Sequence, residues 1–285
     1  MEANQSIIKA LFDTQAVRVS PADQPFWYTS GTLGPYYINT HFLYGSESEA
    51  NQLLSLIETV TATPMELPQT LSAVIMEHYQ QQPVFKAVID ALVASLDNVD
   101  FDVVSGGERR DYFFSIPVAA LLGKPHVAIL KDGQAYYSDE NFQNTRLLQP
   151  GDLKGQRFVH VADLVTEASS YTRTWLPTIK RLGGLIQVTA VVVDRDQGGR
   201  EVLAAAGVEL ITLTRIEAEL FASASEAKLI DDAQVNQILL FMQDPHQFMT
   251  AFLEAHPSFL ADQIKLGGKA AERARRCLEQ GYGQA

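Results

Sequence analysis

Between residues 99 and 216 the chain alternates apolar runs of strand length with helical patterns, and glycines or acids punctuate the changes. "VDFDVVSGG" gives a strand and a glycine turn; "RRDYFFSIPVAALLG" gives a helix that stops at Gly123; "PHVAILKDG" gives a second strand. A turn-rich segment over 132–150 leads into "FVHVAD", a strand that ends at Asp163, followed by a small-residue turn and a helix over 169–182 closed by Gly183-Gly184. "LIQVTAVVVDR", "GGREVLAAAG" and "VELITLTRI" then read as strand, helix and strand. Strands separated by helices need crossover connections, so the expected fold is α/β, a central parallel sheet flanked by helices on both faces. Ligands of such a sheet collect at the C-terminal ends of its strands. Here those ends carry Ser105-Gly106-Gly107, Lys131-Asp132-Gly133, the stretch from Asp163 to Ser170, and Asp194-Arg195.

The flanks read differently. Residues 4–17 form an amphipathic helical pattern with Ile7, Ile8, Leu11 and Phe12 on one face. In "PFWYTSGTLGPYYINTHF" aromatics alternate around Ser-Gly and Gly-Pro, as in two short strands joined by turns. Residues 47–96 are helical, divided by Pro64, Pro68 and Pro83 into three helices. The stretch 217–285 is mostly helical and carries no catalytic grouping; packing against the sheet or a partner subunit is its expected role.

A net charge of −12 disfavours a general nucleic-acid surface, which needs clustered Lys and Arg to neutralise phosphates. The single cysteine, Cys277, cannot form an intramolecular bridge, and no Cys/His cluster has zinc-ligand spacing. No run approaches the roughly 20 apolar residues of a membrane span. The N-terminal stretch lacks the basic-then-apolar pattern of an export signal. A soluble cytoplasmic protein without nucleic-acid or membrane partners is expected.

The strand-end segment "FVHVADLVTEASSY" has the order strand, acid, small-residue turn, helix, from which phosphate-binding loops are built. Asp163 can bind a sugar hydroxyl or magnesium, or cap the following helix. Glu167 is out of character, since a carboxylate about 4 Å from a phosphate repels it by roughly 4 kcal/mol per pair of charges at an effective dielectric of 20. Arg109 and Arg110 after Gly106-Gly107 offer bidentate donors to an anion, or else a solvated turn. His126 and His160 lie in strand patterns with no spaced partner acid, which favours structural roles.

Taken together, the strand ends make the chain resemble a type I phosphoribosyltransferase, specifically orotate phosphoribosyltransferase. "SGTLGPYYIN" resembles the family's N-terminal segment, "FVHVADLVTEASS" its phosphoribosyl diphosphate loop, and "VVVDRDQGGREVLAAAGVEL" its late Asp-Arg, Gly-Gly-Arg, helix and strand. The resemblance implies a phosphoribosyltransferase-like domain over 1–220, with an N-terminal hood region and a helical insertion at about 60–85, and a helical extension over 221–285. It implies substrate contacts from Thr166, Ser169 and Ser170 to the 5'-phosphate, from Arg109 and Arg110 to the diphosphate, and from Arg195 to the base carboxylate. Tyr36 and Tyr37 fall in the substrate-side segment, with packing beside a hairpin as the alternative; for Arg195 the alternative is an ion pair with Asp194 or Glu201.

The resemblance further implies catalytic roles for Asp163 and Lys131, magnesium as the cofactor, phosphoribosyl diphosphate and orotate or a related base as substrates, a nucleotide as product, and a homodimer. Departures are confined to one substrate. Ala162 replaces the first acid of the ribose-binding pair, Glu167 a Thr or small residue and Ala168 a Gly. In "LKDGQAYYSDENFQNTR", aligned with the family's basic mobile loop, only Lys131 matches a basic position. Two functions are therefore expected to compete: phosphoribosyl transfer to a pyrimidine base, or non-catalytic nucleobase or nucleotide binding on the same fold.

Overall fold

The computed structural model describes residues 2–283. They form two units, one made of residues up to Ala16 with Thr40–Glu217, the other of Val17–Asn39 with the chain from Ala218 onward.

The first unit is built on a seven-stranded sheet of β1 (Val103–Gly107), β2 (His126–Ile129), β3 (Ala135–Ser138), β4 (Thr145–Leu147), β5 (Arg157–Val165), β6 (Leu185–Asp194) and β7 (Glu209–Arg215). Their spatial order is β7-β6-β5-β1-β2-β3-β4. The first five in that order run parallel, and β3 and β4 are added antiparallel at one edge. In β5 and β6 nearly every residue is buried, as strands covered on both faces must be. Helices α1 (Glu2–Asp13), α2 (Glu47–Val60), α3 (Leu67–Gln81), α4 (Pro83–Ala94), α5 (Tyr112–Leu122), α6 (Leu176–Arg181) and α7 (Gly199–Ala205) complete the unit. The expected three helices of 47–96 start as their sequences dictate: Ser46 Oγ accepts the Glu49 N–H at 3.2 Å ahead of α2, and prolines occupy the first turns of α3 and α4. Helix α5 is apolar all round and buried from Tyr112 to Ala119.

From β1 the chain crosses through α5 to β2 on one side, whereas from β5 it crosses through α6 to β6 and through α7 to β7 on the other. The direction of winding thus reverses between β1 and β5. That boundary is where an open α/β sheet leaves a crevice outside its strand ends.

Three local expectations are corrected. The segment 132–150 is not only turn: it holds the hairpin β3–β4, so the stretch aligned with a mobile basic loop is instead paired to β2 at the sheet edge. Strand β5 does not stop at Asp163; Leu164 and Val165 remain in register with Val193 and Asp194 of β6, which supplies them with a parallel ladder. Helix α1 ends at Asp13, short of residue 17, because Val17–Val19 pairs as a strand with Tyr36–Ile38.

In the second unit that pair and a smaller one, Phe26–Trp27 with Leu33–Gly34, accompany helices α8 (Ala218–Glu226), α9 (Asp232–Gln243), α10 (Pro245–Ala255), α11 (Phe259–Leu266) and α12 (Gly268–Glu279). Asp231 and Gln234 form a capping box on α9, and Asp244 before Pro245 caps α10. The core of this unit includes Leu33, Phe248, Met249, Phe252 and Cys277, whose thiol is pushed up to about 11 by burial. Among the described residues no helix is long and apolar enough to cross a membrane.

Candidate functional site

The crevice between the ends of β1 and β5 is a cavity of about 540 Å³ within the first unit. One wall is residues 108–111 after β1, the opposite wall runs from Ala162 through Tyr171, and Lys131 and Trp175 complete it. Of the residues singled out in the sequence, Arg109, Arg110, Lys131, Asp163, Thr166, Ser169 and Ser170 therefore meet in one place.

The loop after β5 is short. Thr166 and Glu167 bend away from the strand, Ala168 takes a φ of +52° and is buried, and the chain is helical from Ser169. Alanine thus adopts the left-handed conformation for which glycine is preferred. The Thr172 N–H donates to the Ala168 carbonyl at 3.1 Å, so the N–H groups of Ser169, Ser170 and Tyr171 lie ahead of the helical ladder. They form the positive end of the helix, which favours negative charge nearby. Two contacts brace the loop from β6 and α7: the Arg195 N–H donates to the Val165 carbonyl at 2.9 Å, and a Cβ at Gly199 would approach the Thr166 carbonyl to 2.4 Å. The second explains why glycine stands at 199. Glu167 is exposed and belongs to the cavity lining.

Charge in the cavity is largely balanced by the protein itself. Arg109 is ion-paired with Glu58 of α2. Lys131 Nζ lies 3.2 Å from Glu108 Oε1, and the Lys131 N–H donates to Glu108 Oε2 at 3.0 Å. Arg110 has no ion-pair partner among the described residues. Of the cations in the wall, it is the one whose guanidinium is not spent on a carboxylate. Asp163 is 7 % exposed, and its Oδ2 has no hydrogen-bond partner. Burial, with the Asp111 carboxylate adding to it and Arg110 opposing, raises its pKa to about 7.

Sequence reasoning missed Asp111 and undervalued His160. Asp111 Oδ2 accepts the Gly107 N–H at 2.9 Å and lies 3.4 Å from His160 Nε2, while His160 Nδ1 is 3.0 Å from Ser105 Oγ. The partner acid that His160 lacked in the sequence comes from a different strand end. The parallel pairing of Ser105 with His160 brings the groups together, and no local spacing announces it. His126 is as structural as expected, fully buried, 3.0 Å from Ser115 Oγ and held neutral by burial, its pKa down to about 3.

The remaining candidates lie elsewhere. Arg195 is outside the cavity wall; its Nε is buried without a hydrogen bond, and the alternative ion pair with Asp194 or Glu201 does not form, Asp194 being taken by Arg200 at 3.1 Å. Tyr36 and Tyr37 belong to the second unit. Tyr36 packs on Phe221 and Phe241, and Tyr37 packs on Phe26 and Tyr28 while donating its hydroxyl hydrogen bond to the Trp27 carbonyl. Among the described residues no group of three His, Cys, Asp or Glu side chains is placed to hold a metal ion.

A doubly wound sheet with a crevice at its switch point defines a class of α/β proteins, and comparison with known proteins narrows it. No family model matches the chain. An adenine phosphoribosyltransferase of Mannheimia succiniciproducens is 31 % identical over 142 residues, 47 % of this chain and 78 % of that protein. An orotate phosphoribosyltransferase of Sulfurisphaera tokodaii is 24 % identical over 188 residues, 66 % of this chain and 91 % of that protein. The orotate phosphoribosyltransferase structure of Francisella tularensis shares the fold with a TM-score of 0.52 at 12 % identity, covering 83 % of this chain and 96 % of that one. A UMP synthase structure of Leishmania donovani does so with a TM-score of 0.56 at 16 % identity, over 84 % of this chain and 42 % of that one. The chain belongs to the type I phosphoribosyltransferase family.

Proposed function

We propose that the protein is a phosphoribosyltransferase of the orotate type, which takes 5-phosphoribosyl diphosphate into the cavity between β1 and β5 and transfers the phosphoribosyl group to a pyrimidine base. One observation carries this reading: the N–H groups of Ser169, Ser170 and Tyr171 lie ahead of the helical ladder at the cavity wall, and Glu167, the residue most at odds with it, is exposed. In the proposed roles the 5'-phosphate sits on those N–H groups and the hydroxyls of Thr166, Ser169 and Ser170. Asp163 holds a ribose hydroxyl, Arg110 faces the diphosphate, and Arg195, beyond the cavity wall, takes the base carboxylate through the terminal nitrogens of its guanidinium. Lys131 joins them once Glu108 releases it, and Arg109 once Glu58 does. Tyr36 and Tyr37 are given packing roles in their own unit. Magnesium enters as the counter-ion of the diphosphate.

A base nitrogen displaces diphosphate at the sugar carbon, so no protein nucleophile is needed and the cavity contributes positioning and electrostatics. Purified protein with phosphoribosyl diphosphate, magnesium and orotate is expected to consume orotate absorbance and release diphosphate. Absence of turnover across a panel of pyrimidine and purine bases would count against transfer.

The pairing of Lys131 with Glu108 and of Arg109 with Glu58 favours a second reading, a non-catalytic nucleotide-binding member of the family. It predicts that a nucleoside monophosphate raises the melting temperature while phosphoribosyl diphosphate does not. In either case the protein is proposed to be cytoplasmic and homodimeric, checked by localisation of a tagged chain and by sedimentation.

A further inference from the structure

Strands β1 and β5 are paired from Val103 with Phe158 as far as Ser105 with His160. Beyond that rung they separate and the cavity opens between them. What spans the opening is the carboxylate of Asp111. Its Oδ2 accepts the Gly107 N–H at 2.9 Å on the β1 side, and its Oδ1 receives the Asp163 N–H at 3.4 Å on the β5 side. Asp111 stands at the start of α5 yet makes no capping hydrogen bond to that helix. It is 8 % exposed, and an aspartate so placed is costly to bury unless its oxygens are satisfied.

His160 lies beside this link. Its Nε2 is 3.4 Å from Asp111 Oδ2 without a hydrogen bond between them, its Nδ1 3.0 Å from Ser105 Oγ, and its carbonyl accepts from Thr189 Oγ1 at 2.9 Å. Thr189 Oγ1 is also 2.7 Å from the Tyr171 hydroxyl. Tyr171 and Trp175 bound a single π-helical turn that follows the loop, and their rings lie 5.1 Å and 6.0 Å from the His160 ring. The wider turn brings residues four apart onto one face, and such turns are frequent at functional sites. The loop is thus tied at its entry, Asp163, and at its exit, Tyr171, to buried polar groups that meet in the contact of Asp111 with His160.

We propose that Asp111 and His160 are positioning residues that fix the spacing of the anion loop, and that these buried groups, rather than the loop's own contacts, hold its N–H groups in line for a phosphate. The proposal rests on reading the loop as a phosphate cradle. An apolar core would pack the same space with less desolvation, and a buried polar pair is retained more readily for fixing one geometry than for stability.

The test uses the intact chain and two readouts. In the ligand-free protein, Asp111→Ala is expected to raise amide hydrogen exchange at residues 166–172 at least about tenfold while α3 and α4 keep their rates, and Asp111→Asn, which retains one acceptor oxygen, to give a smaller rise. Tyr171→Phe removes a single hydroxyl and covers the case in which Asp111→Ala does not fold; it is expected to raise exchange at 169–172 alone. Affinity for ribose 5-phosphate should weaken in the same rank order. Loop exchange that is unchanged, or that rises only together with the whole sheet, overturns the clamp. Exchange that responds as stated in a protein with no affinity for ribose 5-phosphate upholds the clamp and overturns the cradle reading instead.

Discussion

Asp163 sits where burial of a carboxyl makes stability depend on pH. Its pKa is raised from 3.8 to about 7, chiefly by burial and next by Asp111. Below pH 3.8 both folded and unfolded forms are protonated there and the contribution is whole. Between about pH 4 and 7 the unfolded chain ionises first and binds fewer protons, so stability falls as pH rises and levels off above 7. Asp163→Asn should remove that slope, read as the difference between the two proteins in denaturant midpoints across pH 4 to 8. The difference isolates Asp163 from His41 and His126, whose burial, with pKa values near 3, acts in the opposite sense. Glu167 is the other informative side chain. Being exposed, it repels a bound phosphate at nearly the dielectric of water, about 1 kcal/mol at 4 Å rather than 4. Glu167→Gln should therefore tighten ribose 5-phosphate binding by roughly fivefold at low salt and by less at high salt, measured by calorimetry.

At the scale of elements, close approach between β1 and the π turn sets the shape of the cavity. A Cβ at Gly107 would lie 2.2 Å from Trp175 Cζ2, so Gly107→Ala must displace the indole and should cost about 1–3 kcal/mol in thermal or denaturant unfolding. The hairpin β3–β4 matters for a different reason. Asp139 anchors the hairpin turn by accepting the Gln143 N–H at 2.9 Å and the Asn144 N–H at 3.3 Å. The turn chemistry was in the sequence, but strands of three and four residues are too short to show a period, and their pairing to β2 is not local. Upstream of this hairpin Lys131 is held by Glu108. Glu108→Gln frees the ammonium and should strengthen binding of inorganic diphosphate several-fold, whereas a solvated Lys131 with no part in the site would leave it unchanged.

For the whole molecule, the helices and parallel strands of 99–216 were legible because each declares its own period, buried runs for strands and capped amphipathic or apolar runs for helices. The strand order was not. It depends on which strands pair, and only with β5 beside β1 does the winding reverse and the cavity acquire its two walls. For the same reason Asp163, Thr166, Ser169 and Ser170 could be read along one segment, while Asp111 and His160 could not: they meet through a rung between two strands far apart in the chain. Arg195 shows the converse, a residue selected by its motif that lies outside the cavity wall.

The loop after β5 is proposed to bind a sugar phosphate despite its altered charge. The most direct measurement is a titration of the unmodified protein with ribose 5-phosphate, followed residue by residue through the backbone amide resonances. Saturable shifts largest at Thr166 and at Ser169 to Tyr171 are the predicted result. Saturable shifts centred elsewhere, or none in this loop at saturation, would contradict it.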